Sequence, residues 1–191
     1  PEESALKHFF DSLTFHQALE LQEGSRVIDM GSGAGFPGLV LAIMNPKVEF
    51  TLVDAVGKKV AFLTSAIQAL NLSNVRALHG RSEVMGQSIK YREAFDVGVA
   101  RSVAYLPTLS EYLLPFIRVG GWMVVAKEAP FHVELEASAM ALSLLGGEYR
   151  RATTYLLPRY KNERCILFFS KVYSTPEKYP RRDGVPLKYP L

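Results

Sequence analysis

Apolar and polar positions along the chain follow two periods, and the two take turns. GSRVIDM (24–30), VEFTLVD (48–54), NVRALHG (74–80), FDVGVAR (95–101) and GWMVVAK (121–127) are short apolar runs bounded by turn residues, which predicts strands. Between them, PGLVLAIMN (37–45) has helical length and Asn45-Pro46 closes it. Across 57–71, Val60, Phe62, Leu63, Ala66, Ile67 and Leu70 recur at three and four, while Lys58, Lys59 and Gln68 fall mostly elsewhere; this predicts an amphipathic helix. Further helices are expected around 106–117, with Pro115 near the end, and over 132–146, where Gly146-Gly147 stops the pattern. YRRATTYLLP (149–158) and RCILFFSKV (164–172) follow with no helical segment between them, a hairpin signal.

Five strands alternating with helices call for right-handed crossovers and a parallel sheet covered on both faces. The closing hairpin adds an antiparallel pair at one sheet edge, for seven strands in an α/β fold. The opening residues 2–19 read as an amphipathic helical element that packs on the sheet and starts abruptly, so further helices are expected upstream. We expect a single domain over 1–191, with 1–23 the remnant of an N-terminal helical extension and 173–191 a basic, proline-rich tail.

Ligands of such sheets bind at the carboxyl ends of the strands. Gly31 to Gly35, Asp54, His79 to Glu83, Arg101 and Lys127 all fall there. In VIDMGSGAGFPG (27–38), an apolar strand runs into a glycine-dense turn and then an apolar helix, with Pro37 suited to the first helical turn. Gly31, Gly33 and Gly35 let the backbone turn through positive φ and let a ligand approach closely. Dinucleotide folds want G-x-G-x-x-G, but Phe36 stands where its third glycine would fall. The pattern instead resembles motif I of class I S-adenosylmethionine-dependent methyltransferases, a Rossmann-like fold. Asp54, about 20 residues past the turn, suits a carboxylate accepting from both ribose hydroxyls.

With 191 residues, 48% hydrophobic and 21% charged, the chain can bury one substantial core. No apolar run approaches the ~18 residues that span a bilayer, and no basic-plus-apolar leader opens the chain. The single cysteine, Cys165, excludes an internal disulfide and lies in an apolar run, as a buried inert thiol would. The histidines show no metal-ligand spacing, and no metal is expected. Residues 171–191 carry five cations and two anions, so the whole net charge of +3 sits in the tail. Its prolines exclude a regular helix. Composition alone fits a solvated terminus, whereas its arginines and Tyr173, Tyr179 and Tyr189 fit contacts to phosphates and bases.

HFFDSL (8–13), DMGSGAGFPG (29–38), LVDAVGKKVAFL (52–63), HGRSE (79–83), FDVGVARSVAYLPTLSEYLLP (95–115) and TPEKYPRRDGVPLKYPL (175–191) together resemble the ribosomal RNA guanine-N7 methyltransferase family RsmG, also called glucose-inhibited division protein B. The resemblance covers nearly the whole chain; Glu128 departs from the glycine usual there. It implies S-adenosylmethionine as cofactor, with Gly31 and Phe36 along its methionine and nucleoside portions, Asp54 on the ribose, Ser82 and Glu83 toward the adenine, and Arg101 at the methyl-transfer end. It also implies small-subunit ribosomal RNA or a ribosomal particle as partner. A cytoplasmic monomer is expected, or alternatively a protein of the stroma or matrix of an organelle with bacterial-type ribosomes.

Guanine N7 already presents an in-plane lone pair, so attack on a sulfonium methyl needs positioning and no general base. Arg101 and Lys127 are the candidates for holding the base or an adjacent phosphate, and Arg181 and Arg182 for contacting RNA. An arginine ending an apolar strand needs a partner, and a structural ion pair of Arg101 with Asp29 or Asp54 is the other reading; Lys127 could likewise simply pair with a neighbour. A small-molecule methyltransferase and a non-catalytic ribosome-binding module on the same fold are the alternative functions.

Overall fold

The computed structural model describes residues 5–101, 103–157 and 163–191. A π-helical turn, Ala5–Phe10, leads into α1 (Asp11–Ala18). Then come β1 (Arg26–Met30), α2 (Gly38–Met44), β2 (Glu49–Asp54), α3 (Gly57–Ala69), β3 (Val75–His79) and the single turn α4 (Ser82–Met85). The second half holds β4 (Phe95–Arg101), α5 (Leu106–Leu113), β5 (Ile117–Glu128), α6 (His132–Ala137), α7 (Ala139–Leu145), β6 (Gly147–Leu156), β7 (Glu163–Lys171) and α8 (Val185–Lys188).

The strands form one sheet in the order β3-β2-β1-β4-β5-β7-β6. The first five are parallel, while β7 runs antiparallel between β5 and β6. The order reverses between β1 and β4, and this switch point opens a crevice at the strand ends. Alternate residues of each strand feed opposite faces. Ile28, Val125 and Leu167 pack with α5 and α7, whereas Val27, Val124 and Ile166 pack with Phe15, Leu41 and Leu63.

Several expected elements change when packed. The helix expected over 132–146 is two, because the Ser138 hydroxyl donates to the Leu135 carbonyl at 2.7 Å and interrupts the ladder. The helix expected to 117 ends at Leu113; a 3₁₀ turn around Pro115 hands the chain to β5, which starts before Gly120-Gly121 and crosses them with a register shift against β4. On α3 only Leu63 is fully buried, and Phe62 and Leu70 face solvent, because the helix covers an edge of the sheet. Pro158 and the turn of the closing hairpin lie outside the described residues.

The tail is not a solvated terminus. The Arg92 guanidinium donates to the carbonyls of Gly86, Thr175, Pro176 and Tyr179, and the Thr108 hydroxyl donates to that of Pro186. Lys171 is buried with its ammonium on the Leu114 and Leu145 carbonyls, and burial lowers its pKa to about 8. The prolines exclude a long helix but permit the one turn of α8, which carries Pro186 near its start.

Candidate active site

The turn after β1 is built by backbone geometry. Gly31, Gly33 and Gly35 have φ of +73°, +58° and +96°. A Cβ on Gly31 would also stand 2.8 Å from Val103, so this position combines a left-handed backbone with close packing. Beneath the turn, Asp29 is fully buried; its Oδ2 accepts the Gly38 amide at 2.9 Å, and its Oδ1 has no hydrogen-bond partner. Burial pushes its pKa up to about 6, against the opposing effects of the Gly38 amide, the Ser32 side chain and the Arg101 charge.

Asp54 ends β2 and ties the turn to the next strand. Its Oδ2 accepts the Gly33 amide and its Oδ1 the Val56 amide, each at 2.9 Å. Lys59 Nζ lies 3.5 Å from the Oδ2; a carboxylate has about four acceptor sites, so the Oδ1 keeps capacity for a further donor. Beside it, Ser82 and Glu83 open α4, and both are buried although surface solvation is the default for glutamate. The Ser82 hydroxyl donates to the Tyr112 carbonyl at 2.5 Å, so Ser82 holds α4 against α5. Glu83 accepts the Gly184 amide at 3.2 Å and lies against Tyr112, whose hydroxyl pKa is raised chiefly by burial and then by that carboxylate. Gly31, Asp54, Ser82, Glu83, Val103 and Tyr112 line one cleft at the strand ends. Arg81 lines the cleft as well, and the two acids suit a ligand rich in hydrogen-bond donors.

At the other side of the turn, Arg101 ends β4 with its guanidinium 5.5 Å from the centre of the Phe36 ring. Its ion-pair partner is neither Asp29 nor Asp54. The partner is Asp11 of α1, fully buried, whose Oδ2 accepts from Arg101 at 3.2 Å and from Arg164 at 2.5 Å. The Asp11 Oδ1 accepts from the Tyr155 hydroxyl at 3.0 Å. His8 completes the group, 2.9 Å from Arg101 and stacked on Phe36, with Phe9 edge-on to the same ring. Burial lowers the Arg101 pKa, and Asp11 opposes that shift. Two arginines on one carboxylate satisfy a charge that could not otherwise be buried. Asp11 lies within HFFDSL, but its role was not legible: only an arginine at the end of an apolar strand hinted that some carboxylate was needed.

The remaining cations separate. Lys127 Nζ sits 2.6 Å from Glu134 and donates to the Ala104 carbonyl at 2.7 Å, so it is spent on a neighbour. Arg181, expected on phosphates, forms a two-pronged pair with the fully buried Glu111 at 2.7 to 3.1 Å and donates to the Tyr189 carbonyl; it fastens the tail to α5. Arg182 is exposed, while Tyr179 is buried and closed to stacking on a base. Glu128, the departure from the family pattern, is exposed and faces Arg164 at 3.5 Å. Cys165 is buried, and burial raises its thiol pKa to about 11, which leaves it inert. No helix among the described residues is long and apolar enough to cross a membrane.

Comparison with known proteins identifies the family and the fold. The family GidB, described as rRNA small subunit methyltransferase G, matches residues 1–159. Two curated relatives carry the name ribosomal RNA small subunit methyltransferase G. The one from Moorella thermoacetica is 43% identical over 190 residues, covering 100% of this chain and 79% of its own. The one from Leuconostoc citreum is 45% identical over 189 residues, covering 97% and 78%. Among solved structures, the YcgJ protein of Bacillus subtilis superposes with a TM-score of 0.68 at 14% identity, over 87% of this chain and 100% of that one. A SAM-dependent methyltransferase from Aquifex aeolicus gives 0.66 at 16% identity, over 90% and 94%. These two share the fold.

Proposed function

We propose a reaction for this chain on the premise that it belongs to the rRNA small subunit methyltransferase G family: transfer of a methyl group from S-adenosylmethionine to guanine N7 of small-subunit ribosomal RNA. The observation that carries the cofactor is the acid-lined cleft beside the glycine turn, in which Asp54 holds two backbone amides and keeps acceptor capacity. The unpartnered Oδ1 of Asp29 fits the same ligand, since a buried oxygen with no donor stands ready for an ammonium or a bridging water. When bound, S-adenosylmethionine supplies an electrophilic methyl on a positively charged sulfur.

The chain's own residues then have distinct tasks. Gly31 and Gly33 clear the backbone for the methionine portion, Asp54 takes the ribose hydroxyls, and the α4 turn with Ser82 and Glu83 walls the adenine. Arg101 and Phe36 stand at the methyl-transfer end, where Asp11 and His8 fix the guanidinium over the ring. Guanine N7 needs no deprotonation, so these residues act by orientation, with no proton to move. Arg182, with the other exposed cations of the tail, supports the contact to RNA phosphates; Arg181 supports it only indirectly, by fixing the tail.

The test is methyl transfer from labelled S-adenosylmethionine to small ribosomal subunits of a strain that lacks this modification, followed by mapping of the labelled base. Incorporation at guanine N7 is expected, with none into subunits that already carry the mark. Transfer only to small molecules, or cofactor binding with no transfer, would replace this reading with one of the two alternatives on the same fold.

A further inference from the structure

We propose that Tyr105 is the residue on which the target purine stacks, and that Lys127 and Glu134 are positioning residues that hold it out for that purpose. The inference rests on the methyltransferase reading and adds a substrate contact to the same site. It starts from the head of α5. The residue before a helix is ordinarily Ser, Thr, Asp or Asn, whose side chain accepts one of the orphan amides. Tyr105 occupies that position and makes no such hydrogen bond.

The cap is supplied from elsewhere. Glu134 of α6 accepts the Leu106 amide at 3.0 Å, and the same carboxylate lies 2.6 Å from Lys127 Nζ. Lys127 in turn donates to the Ala104 carbonyl at 2.7 Å. One ion pair, brought from two other elements, therefore grips the backbone on both flanks of Tyr105. Ala104 and Leu106 pack against the core, whereas Tyr105 turns outward and is 45% exposed. A large ring presented to solvent on a backbone bolted at both sides loses little conformational freedom when a flat partner lands on it.

Its place in the fold identifies the partner. Val103, two residues earlier, lines the cleft and closes on Gly31, and Arg101, two residues before that, ends β4 at the methyl-transfer end. A purine offered to that end from RNA must first leave its stack, and aromatic side chains are what replace the lost stacking. The arrangement also explains why Lys127 stands at the end of β5 without facing phosphate: its charge is spent on building the loop.

The experiment measures single-turnover methyl transfer to unmodified small subunits at subsaturating subunit concentration, with cofactor affinity followed separately by calorimetry. Tyr105→Ala is expected to lower transfer by roughly 5- to 150-fold, the range for one lost base-aromatic stack, with S-adenosylmethionine affinity unchanged. Tyr105→Phe is expected to retain most of the rate, because the ring does the stacking. Glu134→Ala should lower transfer in the wild-type background and add little in the Tyr105→Ala background. Normal transfer by Tyr105→Ala, with wild type active, overturns the proposal and leaves the methyltransferase reading intact. Loss of activity in Tyr105→Phe equal to that in Tyr105→Ala also overturns it, since the hydroxyl would then be the essential group. Equal and additive losses from Glu134→Ala in both backgrounds would remove the positioning role. If wild type itself transfers no methyl to subunits, the underlying reading is what has failed.

Discussion

The two sides of the glycine turn are held by opposite means. Within the turn itself the contacts are local or join adjacent strands: Gly38 to Asp29 spans 9 residues, Val56 to Asp54 spans 2, and Gly33 to Asp54 spans 21, and only the far wall of the cleft reaches further, where Glu83 takes the Gly184 amide 101 residues away. On the Arg101 side, one carboxylate gathers partners from 90, 144 and 153 residues away. The first arrangement needs only glycine's backbone freedom and a parallel strand pair. The second requires the finished sheet, because β4, β6 and β7 must be aligned before α1 can place Asp11 among them. A short segment can therefore carry the glycine turn as a unit, whereas the Arg101 side is assembled only by the completed fold.

This contrast predicts where damage spreads. The largest effect is expected from Asp11→Ala, which removes the buried carboxylate shared by two guanidiniums that are nearly excluded from water and should cost about 3–5 kcal/mol of stability. Urea unfolding measures it. A variant as stable as wild type would break the comparison, because the Arg101 side would then not depend on its distant partner.

Arg181→Ala comes next. It takes the guanidinium from the buried Glu111, which keeps the backbone amide of residue 181, with about 3 kcal/mol expected, the low end of such losses because Arg181 is itself partly exposed. As Gly184 of the same tail donates to Glu83, cofactor affinity should fall as well, while a direct RNA contact by Arg181 would instead lower subunit binding and leave the cofactor untouched. Calorimetry with S-adenosylmethionine and subunit binding across a salt series separate the two outcomes.

Asp54→Ala should be the mildest for folding and the most selective for function. Loss of charged hydrogen bonds to the ribose should weaken S-adenosylmethionine by about 1.5–3 kcal/mol per bond, with the chain still folded by circular dichroism. Unaltered affinity would remove Asp54 from the cofactor site. Global unfolding would show that the local side of the turn depends on the whole fold after all.

The alternation of strand and helix patterns and the closing hairpin were legible because period and turn chemistry act over a few residues. The glycine turn, Asp54 and the strand-end location of Ser82, Glu83, Arg101 and Lys127 were legible for the same reason. The burial of Glu83 was not, since it depends on a tail that arrives about a hundred residues later. Arg181 and Lys127 were misleading for a related reason: a cation's sequence neighbours do not reveal whether a carboxylate waits across the fold. Glu111 and Glu134 have ordinary helical surroundings in sequence, and only packing turns them into the partners of those two cations.

What the sequence determined by itself is therefore the alternation of strands and helices, the strand-end place of the cleft and the backbone shape of the turn. These follow from side-chain periodicity and the φ that glycine permits, properties each segment carries alone. The tertiary structure alone decided which charges are free and which are spent, that Arg101 answers to Asp11, and that Tyr105 stands out from its loop. The physical reason is that a buried charge must find its counter-charge wherever the folded chain supplies one, and that location is a property of the assembled layers.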